Sequence, residues 1–129
     1  GYKYMGRESM EKNEILQTLS GSICEIVFQK VTNRHFRVMY GTTNPEFIPR
    51  MEHSRLENIE SHIQFLSKIS RKPNIENLVV VWDFINHSWR SFYADTVLFI
   101  DTNKERTMIK QYDGKQRRMK LGTEDEEEK

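Results

Sequence analysis

Apolar positions recur along the chain with two periods, and the changes between them mark out its elements. From Ser22 to Val31, Cys24, Ile26 and Phe28 alternate with Glu25, Val27 and Gln29, the period-two signature of a half-buried strand. Thr32-Asn33 supplies turn chemistry, since Asn tolerates positive φ. A second strand is expected from Arg34 to Thr43, with Phe36, Val38 and Tyr40 on one side and His35, Arg37 and Met39 on the other. Asn44-Pro45 and Pro49 break the pattern, which makes 43 to 53 a loop. Ser54 then reads as an N-cap, with Glu57 completing a capping box. Leu56, Ile59, Ile63, Leu66 and Ile69 follow at helical spacing, so a helix is expected over Arg55 to Ser70, stopped by Pro73.

The most apolar and aromatic stretch comes next. Leu78 to Phe84 reads as a third strand, its three valines implying burial on both faces. Asn86-His87-Ser88 is a polar turn, Trp89 to Tyr93 a fourth strand, and Asp95-Thr96 a turn into a fifth, Val97 to Ile100. Ahead of the first strand, Glu11 to Leu19 fits a short helix with Asn13 as its cap. Arg106 to Tyr112 fits either a sixth strand or a helix, and after Asp113-Gly114 the segment Lys115 to Leu121 suits a last strand pairing back. Residues 1 to 10 show no periodicity. They are set aside as disordered or foreign to the natural chain, whose start could be Met5 or Met10. The folded domain is therefore expected over 11 to 101, with the inserted helix at about 54 to 71. Short strands, tight turns and one long excursion suit a small closed barrel better than a sandwich, because five or six strands are too few for two good sheets. The fold class is mainly β with α additions.

Charge changes this picture at one end. The formal net charge of +1 hides a segregation. Residues 123 to 129 hold five acidic side chains against one lysine, a net of −4, which leaves 19 basic against 14 acidic residues in 1 to 122, a net of +5. Seven basic side chains lie between Lys104 and Lys120, so 102 to 122 is a basic extension followed by a disordered acidic tail able to fold back over it. No run approaches the roughly 18 apolar residues of a membrane span. The start carries no signal-peptide pattern, and the single Cys24 excludes an intrachain disulfide, so a cytoplasmic setting is expected. Cys24, in an apolar run, is expected in the core.

Five pieces carry a resemblance: Phe28-Gln29-Lys30, Arg37-Val38-Met39-Tyr40-Gly41-Thr42, Val81-Trp82-Asp83, Trp89-Arg90-Ser91-Phe92 and Asp95-Thr96-Val97. In that order and spacing they resemble the small WYL-related domains of tailed phages, over roughly Leu19 to Ile100. The resemblance implies an SH3/Sm-like β-barrel of five to six strands and a phage-type regulatory or accessory protein in the host cytoplasm. Two features depart from the family pattern: the long helical insertion, and the charged extension after Asp101.

Catalytic patterns are sparse. The four histidines, His35, His53, His62 and His87, lack metal-ligand spacing, and the six glycines form no phosphate loop. No enzyme and no cofactor is expected. Asp83 is expected to hold turn amides or to pair with Arg90. Small barrels bind single strands with a basic groove and aromatic platforms. The candidates here are Lys30, Arg34, Arg37, Arg90 and Phe92 on the barrel, with Lys115, Arg117, Arg118 and Lys120 in the extension. Alternation puts Trp89 and Tyr93 on one face of their strand and Arg90 and Phe92 on the other. Trp82 is expected in the core, and Trp89 is either core or platform. The expected partner is thus RNA or single-stranded DNA. The rival is a host protein met through the helix, on which Phe65 lies off the apolar stripe, or through the barrel edges; self-association is a further possibility.

Overall fold

Alternation decides which side of each strand is inside. A computed structural model describes residues 2–4, 10–104, 109 and 110. Its strands are β1 (Tyr2–Tyr4), β2 (Cys24–Gln29), β3 (Phe36–Thr42), β4 (Leu78–Asp83), β5 (Ser88–Tyr93) and β6 (Val97–Asp101), and its helices are α1 (Lys12–Gly21) and α2 (His53–Ile69). All pairings are antiparallel, in the order β1-β6-β2-β3-β4-β5. Cys24, Ile26 and Phe28 face inward from β2, as the alternation predicts. On β3 the inner positions are Arg37, Met39 and Gly41, opposite Phe28, Ile26 and Cys24, while Phe36 and Val38 stay exposed. Val79 and Val81 of β4 are fully buried and Val80 only half so.

Helix α1 fills the concave side of the sheet. Ile15 and Leu19 lie fully buried with Cys24, Ile26, Val79, Val81 and Ile100 in one cluster. Buried Thr42 ties the helix to β3: its hydroxyl donates to the Leu19 carbonyl at 3.1 Å and accepts from the Asn44 amide at 2.9 Å. The cap at the other end is Glu11, without a side-chain bond, rather than Asn13. Helix α2 buries only Ile59 and Ile63 of the predicted stripe, and Ile69 is exposed. It is held to α1 by Lys12 and Glu60, 3.0 Å apart. The expected Ser54–Glu57 capping box is not formed. A 3-10 turn at Arg50–Glu52 runs straight into the helix, so Ser54 already lies inside its first turn. His53 Nε2 sits between the carbonyls of Pro45 and Ile48, at 3.0 and 2.9 Å.

The closed barrel is not formed either. The sheet ends at β1 and β5, and nothing among the described residues joins them. The physical reason lies at the middle, where β3 and β4 share only Gly41↔Asp83 and Thr42↔Trp82 before diverging. The sheet is nonetheless strongly curled. Strands β2 and β5 stand three places apart, roughly 14 Å in a flat sheet. Yet Phe28 and Phe92 stack with ring centroids 5.3 Å apart. The sixth strand also comes from an unexpected place. It is β1, from the segment set aside in the sequence, lying along β6. Of the charged extension only residues to 104, with 109 and 110, are described; Ile109 and Lys110, within the strand or helix expected over Arg106 to Tyr112, are helical, and the rest of that segment, the last strand and the acidic tail lie outside. No described helix is long and apolar enough to cross a membrane.

Gly41 is required where the two hairpins meet. A Cβ there would lie 2.9 Å from Val81 Cγ2 and 3.3 Å from Ile26 Cδ1. Gly41→Ala should therefore cost about 1–3 kcal/mol by overpacking. Val81→Ala should cost about 2–4 kcal/mol. Urea denaturation of the double variant should show a total clearly below the sum, because the truncated valine vacates the space the new methyl needs.

A second cross-strand contact sits on the outer face. Tyr40 donates its hydroxyl proton to Glu25 Oε2 at 2.8 Å, the two residues being directly opposite. Burial first, then that hydrogen bond and the carboxylate's charge, raises the phenol's pKa above its usual 10.0. A raised folded pKa means the contribution is whole below the unfolded pKa and is lost as pH climbs through the folded one. Tyr40→Phe should cost about 0.5–1.5 kcal/mol near pH 8. The gap between variant and wild type should shrink as denaturation is repeated above pH 10.

Candidate functional site

Local sequence builds the tip between β4 and β5. The Asp83 carboxylate, 4% exposed, accepts from the amides of Ile85 at 3.1 Å and Asn86 at 2.9 Å and from Asn86 Nδ2 at 2.8 Å. These bonds fold the chain back through 84 to 87, ending on His87 in the left-handed region at φ 56°. The turn thus begins two residues earlier than the predicted Asn86-His87-Ser88. Of the two roles expected for Asp83, holding turn amides is the one seen; no ion pair with Arg90 is present. The β2–β3 turn closes with Lys30 N donating to His35 O at 2.8 Å and Arg34 N to Lys30 O at 2.9 Å. Here the positive φ falls on Arg34, while Asn33 Oδ1 accepts from the His35 amide.

Where these hairpins diverge they leave an open cleft of roughly 600 Å³. Three consecutive runs line it: Phe28 to Thr32, Arg37 to Met39 and Arg90 to Tyr93. Neighbours on a strand point to opposite faces, so a cleft on one sheet face would be lined by alternate residues. Consecutive lining means that strand edges bound this one, including the outer edge of β5, which pairs with nothing among the described residues. Asp83 and Asn86 close one side.

The register arranges the chemistry in rows. On the concave side of β4 and β5 the pairs are Val79↔Phe92, then Val81↔Arg90, then Asp83↔Ser88. Two residues of strand, roughly 7 Å, separate each row from the next. Arg37 is directly opposite Phe28, so the stacked phenylalanines have an arginine rooted beside each ring. The guanidinium groups of Arg37 and Arg90 belong to exposed residues, and Lys30 is half-buried. None of the three makes an ion pair with a described residue; Arg90 Nε has only a long 3.4 Å contact to Ser88 Oγ.

Of the residues singled out in the sequence, Lys30, Arg37, Arg90 and Phe92 therefore meet around one cleft. Phe92 enters as its floor. It is 3% exposed and stacked on Phe28, with no free face for a base. Arg34 is exposed on the hairpin turn and does not line the cleft. Lys115, Arg117, Arg118 and Lys120 lie outside the described residues. Sequence reasoning missed Phe28, Met39, Asp83 and Asn86 as lining groups. Its available signal was the hairpin register, which sets Phe28 against Arg37 and Met39 against Ile26.

The tryptophans take no part in the cleft. Trp82 is 4% exposed, as expected of core, and meets Trp89 edge-to-face at 5.3 Å. Trp89 donates from Nε1 to Glu52 Oε2 at 3.0 Å, and Arg55 lies over its ring at 5.7 Å. That occupies Trp89 and leaves no platform. Among the described residues no three His, Cys, Asp or Glu side chains gather into a metal-sized group. No protein family, no curated protein and no solved structure matches this chain.

Trp89→Phe should cost about 1.5 kcal/mol, the low end for a hydrogen bond to a charged group in a part-buried setting. Adding Glu52→Gln should cost little more. Strictly additive losses in a double-mutant denaturation cycle would show that the indole–carboxylate bond contributes nothing.

Proposed function

We propose that the protein is a non-enzymatic module that binds single-stranded nucleic acid, RNA or DNA, through the cleft between its two hairpins. One observation carries this reading: Lys30, Arg37 and Arg90 line one cleft, and none is neutralised by a described carboxylate. The only acidic side chain lining it among the described residues, Asp83, already accepts three hydrogen bonds. Cations rooted beside an apolar floor suit a flexible polyanion whose bases are unpaired. A duplex is a poorer fit for a cleft of this size. The kinship with WYL-related phage domains, as an opened relative of their SH3/Sm-like barrel acting in the host cytoplasm, is part of the same proposal. The basic segment with Lys115, Arg117, Arg118 and Lys120 would extend the phosphate track.

A second reading has its own support. Phe36, Val38 and Val31 are 63%, 56% and 67% exposed around the β2–β3 hairpin, and part of β3 lies beyond its ladder with β4. Exposed apolar side chains on an incompletely paired strand suit a protein partner, such as a host regulator or a second copy.

Fluorescence anisotropy with short single-stranded oligonucleotides over a salt series separates these readings. Each phosphate contact on a single strand contributes about 0.7 to the slope of log K against log salt. Arg37→Gln and Arg90→Gln should each weaken binding and lower that slope by about this amount, with little change in stability, since both side chains are exposed. A salt-independent affinity, or none at low salt, would favour the protein partner.

A further inference from the structure

The cleft has polarity as well as charge. Next to the Arg90 row, Asp83 and Asn86 bring acceptor oxygens to the cleft. An ionised carboxylate has no proton to donate, so the Asn86 side chain must turn its nitrogen toward Asp83, as observed at 2.8 Å. Its Oδ1 therefore points away from Asp83 and takes no described partner. Among the described residues Asp83 Oδ2 accepts that one bond, and carboxylate oxygens have room for two. Two acceptors, Asp83 Oδ2 and Asn86 Oδ1, thus belong to residues that line the same cleft as Arg90, with Asp83 one row along the ladder from it.

We infer that the cleft discriminates among unpaired bases, taking those with an exocyclic amine beside a ring acceptor, cytosine and adenine, over uracil and thymine. This rests on the single-strand reading and adds base selectivity to it. Cytosine presents its N4 amine and, adjacent, the N3 and O2 acceptors. The amine meets Asp83 and Asn86, a carboxylate being an established acceptor for that group. The ring acceptors turn toward Arg90. Uracil and thymine place a carbonyl where cytosine has its amine, setting oxygen against oxygen and leaving buried Asp83 facing an acceptor. Asp83 also repels phosphate, so the backbone is confined to the Lys30, Arg37 and Arg90 side and only a base edge reaches the tip. Asn86 is a specificity-determining residue, because its side chain supplies one of the two acceptors, while backbone amides hold Asp83 in place.

The test compares oligo-C with oligo-U of equal length, binding the full chain at neutral pH and fixed low salt. Oligo-C should bind about ten-fold tighter, the effect of one charge-assisted hydrogen bond. Asn86→Ala should lower the oligo-C to oligo-U ratio; a thermal melt of the variant checks that it is folded. If it is not, the wild-type ratio decides alone. Equal affinities, or tighter binding of oligo-U, would overturn the selectivity while leaving single-strand binding in place. Failure of both oligomers to bind would sink the two together.

Discussion

The structure depends on how little β3 and β4 share. Two residue pairs join the hairpins, and they can do so only because Gly41 lets Val81 approach a bare Cα. A longer ladder there would hold the two hairpins parallel. With so short a one, they swing apart on one side and curl together on the other, far enough for Phe28 and Phe92 to stack across the interior. Core and cleft are two sides of that geometry. Where the strands converge, α1 fills the space with Ile15 and Leu19; where they diverge, nothing described fills it.

The electrostatics follow from the same divergence. In a tighter β-structure Asp83 and Arg90, on neighbouring rows of one face, would be natural ion-pair partners. Here the carboxylate is spent on the turn it folds, holding two amides and one side-chain amide, and the guanidinium stays in solvent. Folding the tip and leaving the arginine free are therefore one event. An exposed surface pair would have been worth little to stability in any case, so its absence costs the fold almost nothing.

Much of the strand content was legible because period two is a strong signal where one face is buried. Cys24, Ile26 and Phe28 announced β2, and Val79 and Val81 announced β4. Which side of β3 faces inward was harder, since Phe36 and Val38 are more apolar than Arg37 and Gly41 yet lie outside. Register against β2, a long-range property, overrode local hydrophobicity there. Barrel closure depends on the β3–β4 ladder and on the edge of β5, and no local pattern encodes either. The capping box failed for a similar reason: a 3-10 turn of Arg50–Glu52 began the helical path before Ser54. The candidate cations were legible as residue types. Their separation into a cleft set of Lys30, Arg37 and Arg90 and an outlying Arg34 came from a positive φ falling one residue after Asn33.

The tryptophan pair has a consequence for anyone who handles this protein. Both indoles lie on the convex side of the β4–β5 hairpin, edge to face and tied to the start of α2 through Glu52 and Arg55. Their emission and exciton coupling therefore report the docking of the inserted helix on the sheet. The chain thus carries an intrinsic optical probe of its tertiary structure.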